Sequence, residues 1–123
     1  QVRIGCCGWS TSKTNYFRLF NTIELQSTFY KLPRLETAQR WRSELSDGFV
    51  LCAKAWQGIT HPPTSPTWRR SGLKPPELQR KAYGLLRPTQ DNFGAWELTR
   101  TVCEAAGVRL CVIQCPPSFK PTK

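Results

Sequence analysis

The amino-acid sequence predicts an α/β fold in which about four parallel strands alternate with helices. Short apolar runs typical of strands recur four times along the chain, and helix-like segments separate the later ones. The last run, residues 108–114, is almost continuously apolar, as expected for a parallel strand that is covered on both faces. Strands that alternate with helices favour a parallel sheet.

The first strand is predicted at residues 2–7, and a loop that contains Trp9 follows it. A single helical turn is expected at residues 16–20. Such a turn is shorter than the crossover of about a dozen residues that usually joins parallel strands.

The second strand lies within residues 20–26. Because successive side chains of a strand point to opposite faces, Ile23 and Leu25 share one face. Three polar residues share the other: Thr22, Glu24 and Gln26. A carboxylate and an amide are costly to bury without partners. The strand is therefore either an edge strand with one wet face or part of a polar site inside a barrel or at its mouth.

A loop at residues 27–33 leads into a helix at residues 36–45. The helix carries one apolar stripe, since apolar residues recur at helical spacing: Ala38, Trp41 and Leu45. A third strand is expected at residues 49–55. Alternation places Val50, Cys52 and Lys54 on one face of it and the apolar partners on the other: Phe49, Leu51 and Ala53.

Residues 56–93 predict a long, basic loop, because prolines interrupt regular structure throughout. A short helix is expected at residues 78–86 within it. Loops of this length in compact domains are usually functional or flexible. A further helix is predicted at residues 94–107, ending at a glycine, with an inner face made approximately of four residues: Trp96, Val102, Ala105 and Ala106.

Composition bears on partners and compartment. The formal net charge of +10 over 123 residues favours association with nucleic acid or another polyanion, unless it is only a basic surface or is balanced by acidic residues elsewhere. Five of the six cysteines fall in or next to predicted strands, which indicates buried free thiols and a cytoplasmic location. An intracellular disulfide, as occurs in hyperthermophiles, is the alternative, and composition does not decide between them. The sequence contains no CxxC pair, so it predicts no structural zinc site. No apolar run is long enough to cross a membrane, so no membrane partner is expected.

Four motifs in the same order resemble the YecE-like family, also called domain of unknown function 72. The organising motif is FNTIELQSTFYKLP, residues 20–33. The others are IGCCGWS at residues 4–10, the strand at residues 49–54 with Ile-Thr-His at residues 59–61, and QCPPSFK at residues 114–120. The chain is most similar to the archaeal branch. The resemblance implies a (β/α) barrel related to the TIM barrel, and it implies no established reaction.

A full barrel of this type takes about 250 residues, or about 200 at the low end. The 123 residues therefore predict the N-terminal half of a TIM-type barrel, a single incomplete domain over residues 1–123. Residues 119–123 are expected to begin a loop toward another helix. Open strand edges invite pairing, so completion by a missing C-terminal half or by self-association is expected.

Functional groups in such barrels lie where strands end and the following loops begin. Polar residues occupy these strand ends, and loop residues join them from above: Glu24, Gln26, Lys54 and Gln114, with Trp9, Tyr30 and His61. The agreement of several strand ends predicts a site. Arg69 and Arg70 of the long loop are added as candidate phosphate contacts.

Each candidate has more than one chemical role. Glu24 suits a general base or a metal ligand, and Lys54 suits an anion site, the stabilisation of developing negative charge or a Schiff base. A plain Glu24–Lys54 ion pair is the alternative. His61, the only histidine, suits proton transfer or phosphate binding, or is simply a loop histidine beside prolines. No metal site is predicted, because this chain offers only Glu24 and His61 as obvious ligands, and cofactors stay unknown.

Two classes of function fit these features. The first is an enzyme that acts on a phosphorylated or nucleic-acid substrate at the barrel mouth. Four aromatic residues are expected to stack on bases there: Trp9, Tyr30, Trp56 and Trp68. The second is a non-catalytic module that binds nucleic acid or protein through the same basic loop.

Overall fold

A computed structural model describes residues 1–120, and residues 121–123, within the expected C-terminal loop, lie outside the described part. The four predicted strands form one parallel sheet in chain order. They are β1 (Gly5–Cys7), β2 (Thr22–Leu25), β3 (Val50–Lys54) and β4 (Leu110–Val112). The sheet is not closed, and β1 and β4 form its edges. The predicted α/β fold is confirmed, and the chain forms part of a TIM-type barrel.

Helices connect the strands. They are α1 (Lys13–Leu19), α2 (Ser27–Tyr30), α3 (Leu35–Ser43), α4 (Gln57–Thr60), α5 (Pro75–Gln79) and α6 (Gln90–Ala106), together with a 3₁₀ helix at Pro66–Arg70. In the part of the chain that the structure describes, none of them is long and apolar enough to cross a membrane.

The short crossover α1 is tied to both strands that it joins. The phenol oxygen of Tyr16 accepts a hydrogen bond from the Cys6 amide at 2.7 Å and donates one to the Thr22 carbonyl at 2.9 Å. Tyr16 is fully buried, so its ring contributes packing as well as these bonds. A helix of seven residues therefore suffices where a longer crossover is usual.

The two faces of the sheet follow the predicted alternation. Ile23, Leu25, Leu51 and Ala53 are buried against the helices. Four side chains of the opposite face are only partly buried: Thr22, Glu24, Cys52 and Lys54. The main core thus lies between the sheet and its helical layer, and the polar strand residues face away from it.

Residues 56–93 differ from the prediction of a long loop. Three short helices there pack a second aromatic core, in which the Trp56 ring lies edge-on to the rings of Trp68 and Tyr83 at 5.8 and 5.4 Å. The expected helix at residues 78–86 is wrong, because the helical turn is Pro75–Gln79. The expected base stacking by Trp56 and Trp68 is also wrong, since both rings are buried.

Helix α6 begins at Gln90, four residues before the predicted start, because the Thr89 hydroxyl accepts a hydrogen bond from the Asn92 amide. It ends at Ala106, and the predicted glycine stop, Gly107, is its C-cap. The prediction that Trp96 lies on its inner face is wrong, since this side chain is 38% exposed. The predicted Val102 and Ala106 are buried, together with three further positions: Asn92, Ala95 and Thr99. The small Ala95 side chain leaves room for α4 to approach.

The six cysteines are free thiols. The prediction that the thiols are buried overestimates their burial. Cys7 is exposed and the other five are partly buried. Three of the partly buried cysteines pack at the margins of the two cores and keep part of their surface exposed: Cys6, Cys103 and Cys111.

Candidate functional site

Three polar side chains form a hydrogen-bonded chain at the carboxyl end of β2 and β3. The Gln26 amide nitrogen donates to the Glu24 carboxylate at 2.6 Å, and the Gln26 carbonyl oxygen lies 3.5 Å from the Lys54 ammonium. Within residues 1–120, no direct Glu24–Lys54 ion pair forms. Gln26 therefore orients the carboxylate and leaves much of the hydrogen-bonding capacity of the ammonium unused.

Phe29 joins this chain to His61. The Lys54 ammonium lies 4.9 Å from the centroid of the Phe29 ring, and the His61 ring packs edge-on against Phe29 with its centroid 4.9 Å away. Thr28 fixes the end of β3, because its buried hydroxyl donates to the Lys54 carbonyl at 2.7 Å. The motif that ends β2 thus positions the polar end of β3 as well.

His61 is held as a neutral imidazole. It is 8% exposed, and its Nδ1 atom lies 2.7 Å from the Thr60 hydroxyl. Burial lowers the pKa of His61 below its ordinary value, and the positive charge of Lys54 lowers it further. At neutral pH this side chain therefore suits hydrogen bonding or proton acceptance better than attraction of an anion by charge.

Tyr30 lies beside the polar chain and stacks with a cation of the 3₁₀ helix. The Arg70 guanidinium lies 3.7 Å above the centroid of the Tyr30 ring, a cation–π contact. The Tyr30 ring in turn meets Phe29 at 5.0 Å. Phe29 and Tyr30 therefore connect Arg70 with Lys54.

The other candidates lie apart from this group. Arg69 is exposed and lines a different cleft beside Trp68 and Leu78. Trp9 is 36% exposed and packs edge-on against Tyr16 and Phe17. Gln114 follows β4 and is exposed.

The structure thus brings Glu24, Gln26, Lys54 and His61 together, with Tyr30 and Arg70 next to them. Sequence reasoning missed Phe29, which is buried between the lysine and the histidine. Its place directly after a strand with polar ends was the available signal. In residues 1–120, no three His, Cys, Asp or Glu side chains cluster as a metal site would require.

Four parallel strands with helical crossovers, and polar side chains at the carboxyl ends of β2 and β3, are consistent with a partial barrel of the TIM type. The chain belongs to the family described as "Protein of unknown function DUF72", whose model matches residues 3–123. This agrees with the resemblance found in the motifs.

Two curated relatives are both described as "UPF0759 protein YecE", from Escherichia coli strain K12 and from Escherichia coli O157:H7. Each is 40% identical over 60 residues, which cover 49% of this chain and 21% of the relative. The match thus spans about a fifth of the length of these relatives. No solved structure matches the chain.

Proposed function

We propose that the carboxyl end of this sheet binds a phosphorylated or nucleic-acid substrate and acts on it as an enzyme site. The observation that supports this most directly is the Lys54 ammonium, which has no carboxylate partner within residues 1–120. It is held instead by one long hydrogen bond and an aromatic ring. A partly desolvated ammonium with spare donors is a suitable phosphate ligand.

The neighbouring groups suit complementary roles. Glu24, oriented by the Gln26 amide, is the candidate general base. Lys54 is the candidate group that stabilises negative charge as it develops on the substrate. Neutral His61 is placed to accept or relay a proton near the same cation.

The basic character of the chain supports an anionic ligand. The formal net charge is +10. Arg70 is exposed next to the site, and Arg69 is exposed in a different cleft. Phosphate contacts make affinity fall with salt, with a logarithmic slope of about 0.7 per contact on a single strand.

The salt dependence tests the arginine contacts. Binding is measured as the anisotropy of a fluorescein-labelled oligothymidylate of about twelve nucleotides over a series of salt concentrations. The Arg69→Ala/Arg70→Ala variant is expected to have a slope shallower by up to about 1.4. Arg18→Ala/Arg109→Ala is the matched control, because it removes the same charge from exposed positions at the amino end of the sheet. Equal slopes in the two double variants contradict the proposal.

The Glu24→Gln variant separates an enzyme from a binding module. If the site is catalytic, this variant stops the release of phosphate or of shortened fragments from the oligothymidylate and keeps its affinity. If the wild-type chain binds the oligothymidylate and releases nothing, the alternative applies, a non-catalytic module that binds nucleic acid or protein. The stack of the exposed Arg70 on the half-buried Tyr30 favours that alternative, since it needs no reaction.

We also propose a cytoplasmic location and completion of the barrel by further polypeptide. The free thiols are compatible with a reducing compartment. The two open edges of the sheet are suited to pairing with a C-terminal continuation of the chain or with a second copy.

A further inference from the structure

A separate cavity of about 290 Å³ lies between α1, α3 and the loop after β1. Three aromatic side chains from these three elements form its walls: Trp9, Phe17 and Trp41. Leu25 and Leu51, from the buried face of the sheet, form its floor. Its volume is close to the lower end of the range for small-ligand sites, about 300 Å³.

A few polar side chains also line this aromatic cavity. Lys13 and Glu44 form an ion pair there, and Lys13 also lies 5.5 Å from the centroid of the Trp9 ring. Ser27 and Gln26 complete the wall on the side of the candidate site. A mostly apolar cavity with a few convergent polar groups is the usual form of a small-molecule site.

A basic cleft adjoins the aromatic cavity, and the two share Ser27 and Trp41. Three cations line the cleft: Lys31, Arg34 and Arg70. Within residues 1–120, none of the three makes a salt bridge to a carboxylate. Aromatic surface and unpaired positive charge therefore lie side by side.

We infer that the aromatic cavity and the basic cleft form one bipartite site for a nucleotide unit. The base enters the aromatic cavity, where Trp9 and Trp41 provide rings for stacking. The phosphate lies in the cleft, where guanidinium groups match phosphate oxygens. The inference rests on the proposed function for the anionic ligand and adds the part of the ligand that fills the apolar space. The unit is either a free nucleotide or one residue of a single strand.

Calorimetric titration with AMP, adenosine and inorganic pyrophosphate tests the bipartite site. The wild-type chain is expected to bind AMP more tightly than adenosine, since adenosine lacks the phosphate. Trp9→Leu is expected to weaken AMP binding about tenfold or more and to leave pyrophosphate binding unchanged. Trp96→Leu is the matched control, because Trp96 is 38% exposed and Trp9 36%, and it should change AMP binding less than about twofold.

A second variant shows whether weaker AMP binding by Trp9→Leu comes from lost packing and not from the lost aromatic ring. Ser27 is exposed and borders both cavities, so Ser27→Phe fills their junction and removes no core contact. It should weaken AMP binding as strongly as Trp9→Leu does. If AMP shows no binding at about 10 mM, or if both variants bind it as the wild type does, the inference is overturned.

A competition experiment distinguishes a site for a free nucleotide from a site for one residue of a single strand. Displacement of AMP by unlabelled oligothymidylate supports a site for single-stranded nucleic acid, and absence of displacement supports a site for free nucleotides. Lys54→Met tests the proposed function separately, because Lys54 does not line either cavity. Unchanged binding of the labelled oligothymidylate by that variant would reject the role of Lys54 and leave the bipartite site intact.

Discussion

Gln26 decides how the two charged residues of the candidate site interact. Its amide group has both a donor and an acceptor, so it satisfies the Glu24 carboxylate and the Lys54 ammonium from opposite ends. A direct ion pair would neutralise both groups and leave neither for a ligand. Gln26, which the sequence placed among the polar strand ends, thus keeps the charges of Glu24 and Lys54 apart.

His61 makes the stability of the chain dependent on pH as the pH falls through 6.5, the ordinary pKa of histidine. Its pKa in the folded chain is lowered, first by burial and then by the charge of Lys54. As the pH falls through its ordinary value of 6.5, the unfolded chain takes up a proton before the folded chain does. The free energy of unfolding therefore decreases on acidification through this pH.

Urea unfolding at a series of pH values measures this effect, and His61→Gln is expected to flatten the decrease. His61 is the only histidine. The carboxyl pKa of Asp91 is lowered by the Ala82 amide, and that of Glu44 by Lys13, so both titrate below the ordinary pKa of histidine. An equally steep decrease in His61→Gln contradicts the assignment.

At the scale of elements, the backbone of Gly84, in the segment at residues 56–93, packs closely against His61 of the candidate site. Gly84 has φ +94, and its amide and carbonyl bond to the Asn92 side chain. A Cβ atom there would overlap the carbonyl of His61. The contact between this turn and α4 therefore allows only glycine.

Gly84→Ala is expected to lower the free energy of unfolding by about 2–4 kcal/mol, because positive φ and the overlap add. Gly94→Ala is the matched control. Gly94 lies inside α6, with nothing within 4 Å of an added Cβ, so this change should raise stability by about 0.5–1 kcal/mol. Chemical denaturation measures both, and a Gly84→Ala variant as stable as the wild type contradicts the packing described here.

The strands and their two faces were predicted from the sequence, because side-chain alternation along a strand is a local pattern. Alternation along β2 and β3 assigned Ile23 and Lys54 to the correct faces, since the side-chain period of a strand is fixed. The segment at residues 56–93 was missed because its helices are short and rich in proline. Long-range contacts between Trp56, Trp68 and Tyr83 order it, and no local pattern encodes them.

The candidate site was likewise predicted in part and missed in part. The strand-end rule grouped Glu24, Gln26 and Lys54 correctly because adjacent parallel strands end at one edge. It also included Trp9 and Gln114, which lie apart, because a rule about strand ends does not specify where a loop side chain points. Phe29 was missed since its role depends on contacts from two other segments.

At the scale of the whole molecule, the open sheet predicts association. β1 and β4 leave backbone groups unpaired at their outer edges. Exposed apolar side chains accompany them, with Ile4 64%, Leu110 55% and Ile113 50% exposed. Pairing with a second polypeptide would satisfy the backbone groups and cover these side chains.

Light scattering on a sizing column tests this expectation. The chain of 123 residues should have a solution mass that is a multiple of 14.1 kDa and rises with concentration. A monomer at every concentration, with a sharp thermal transition, contradicts it and shows that the open edges are tolerated.

The binding of phosphate by Lys54 is tested most directly by titrating the labelled oligothymidylate into the Lys54→Met and Lys74→Met variants. Both changes remove one positive charge and keep an unbranched side chain, and Lys74 is exposed at the start of α5. We predict binding weaker by about tenfold or more for Lys54→Met, since hydrogen bonds to charged groups contribute about 1.5–3 kcal/mol, and nearly unchanged binding for Lys74→Met. Equal affinities of the two variants would contradict the proposed site.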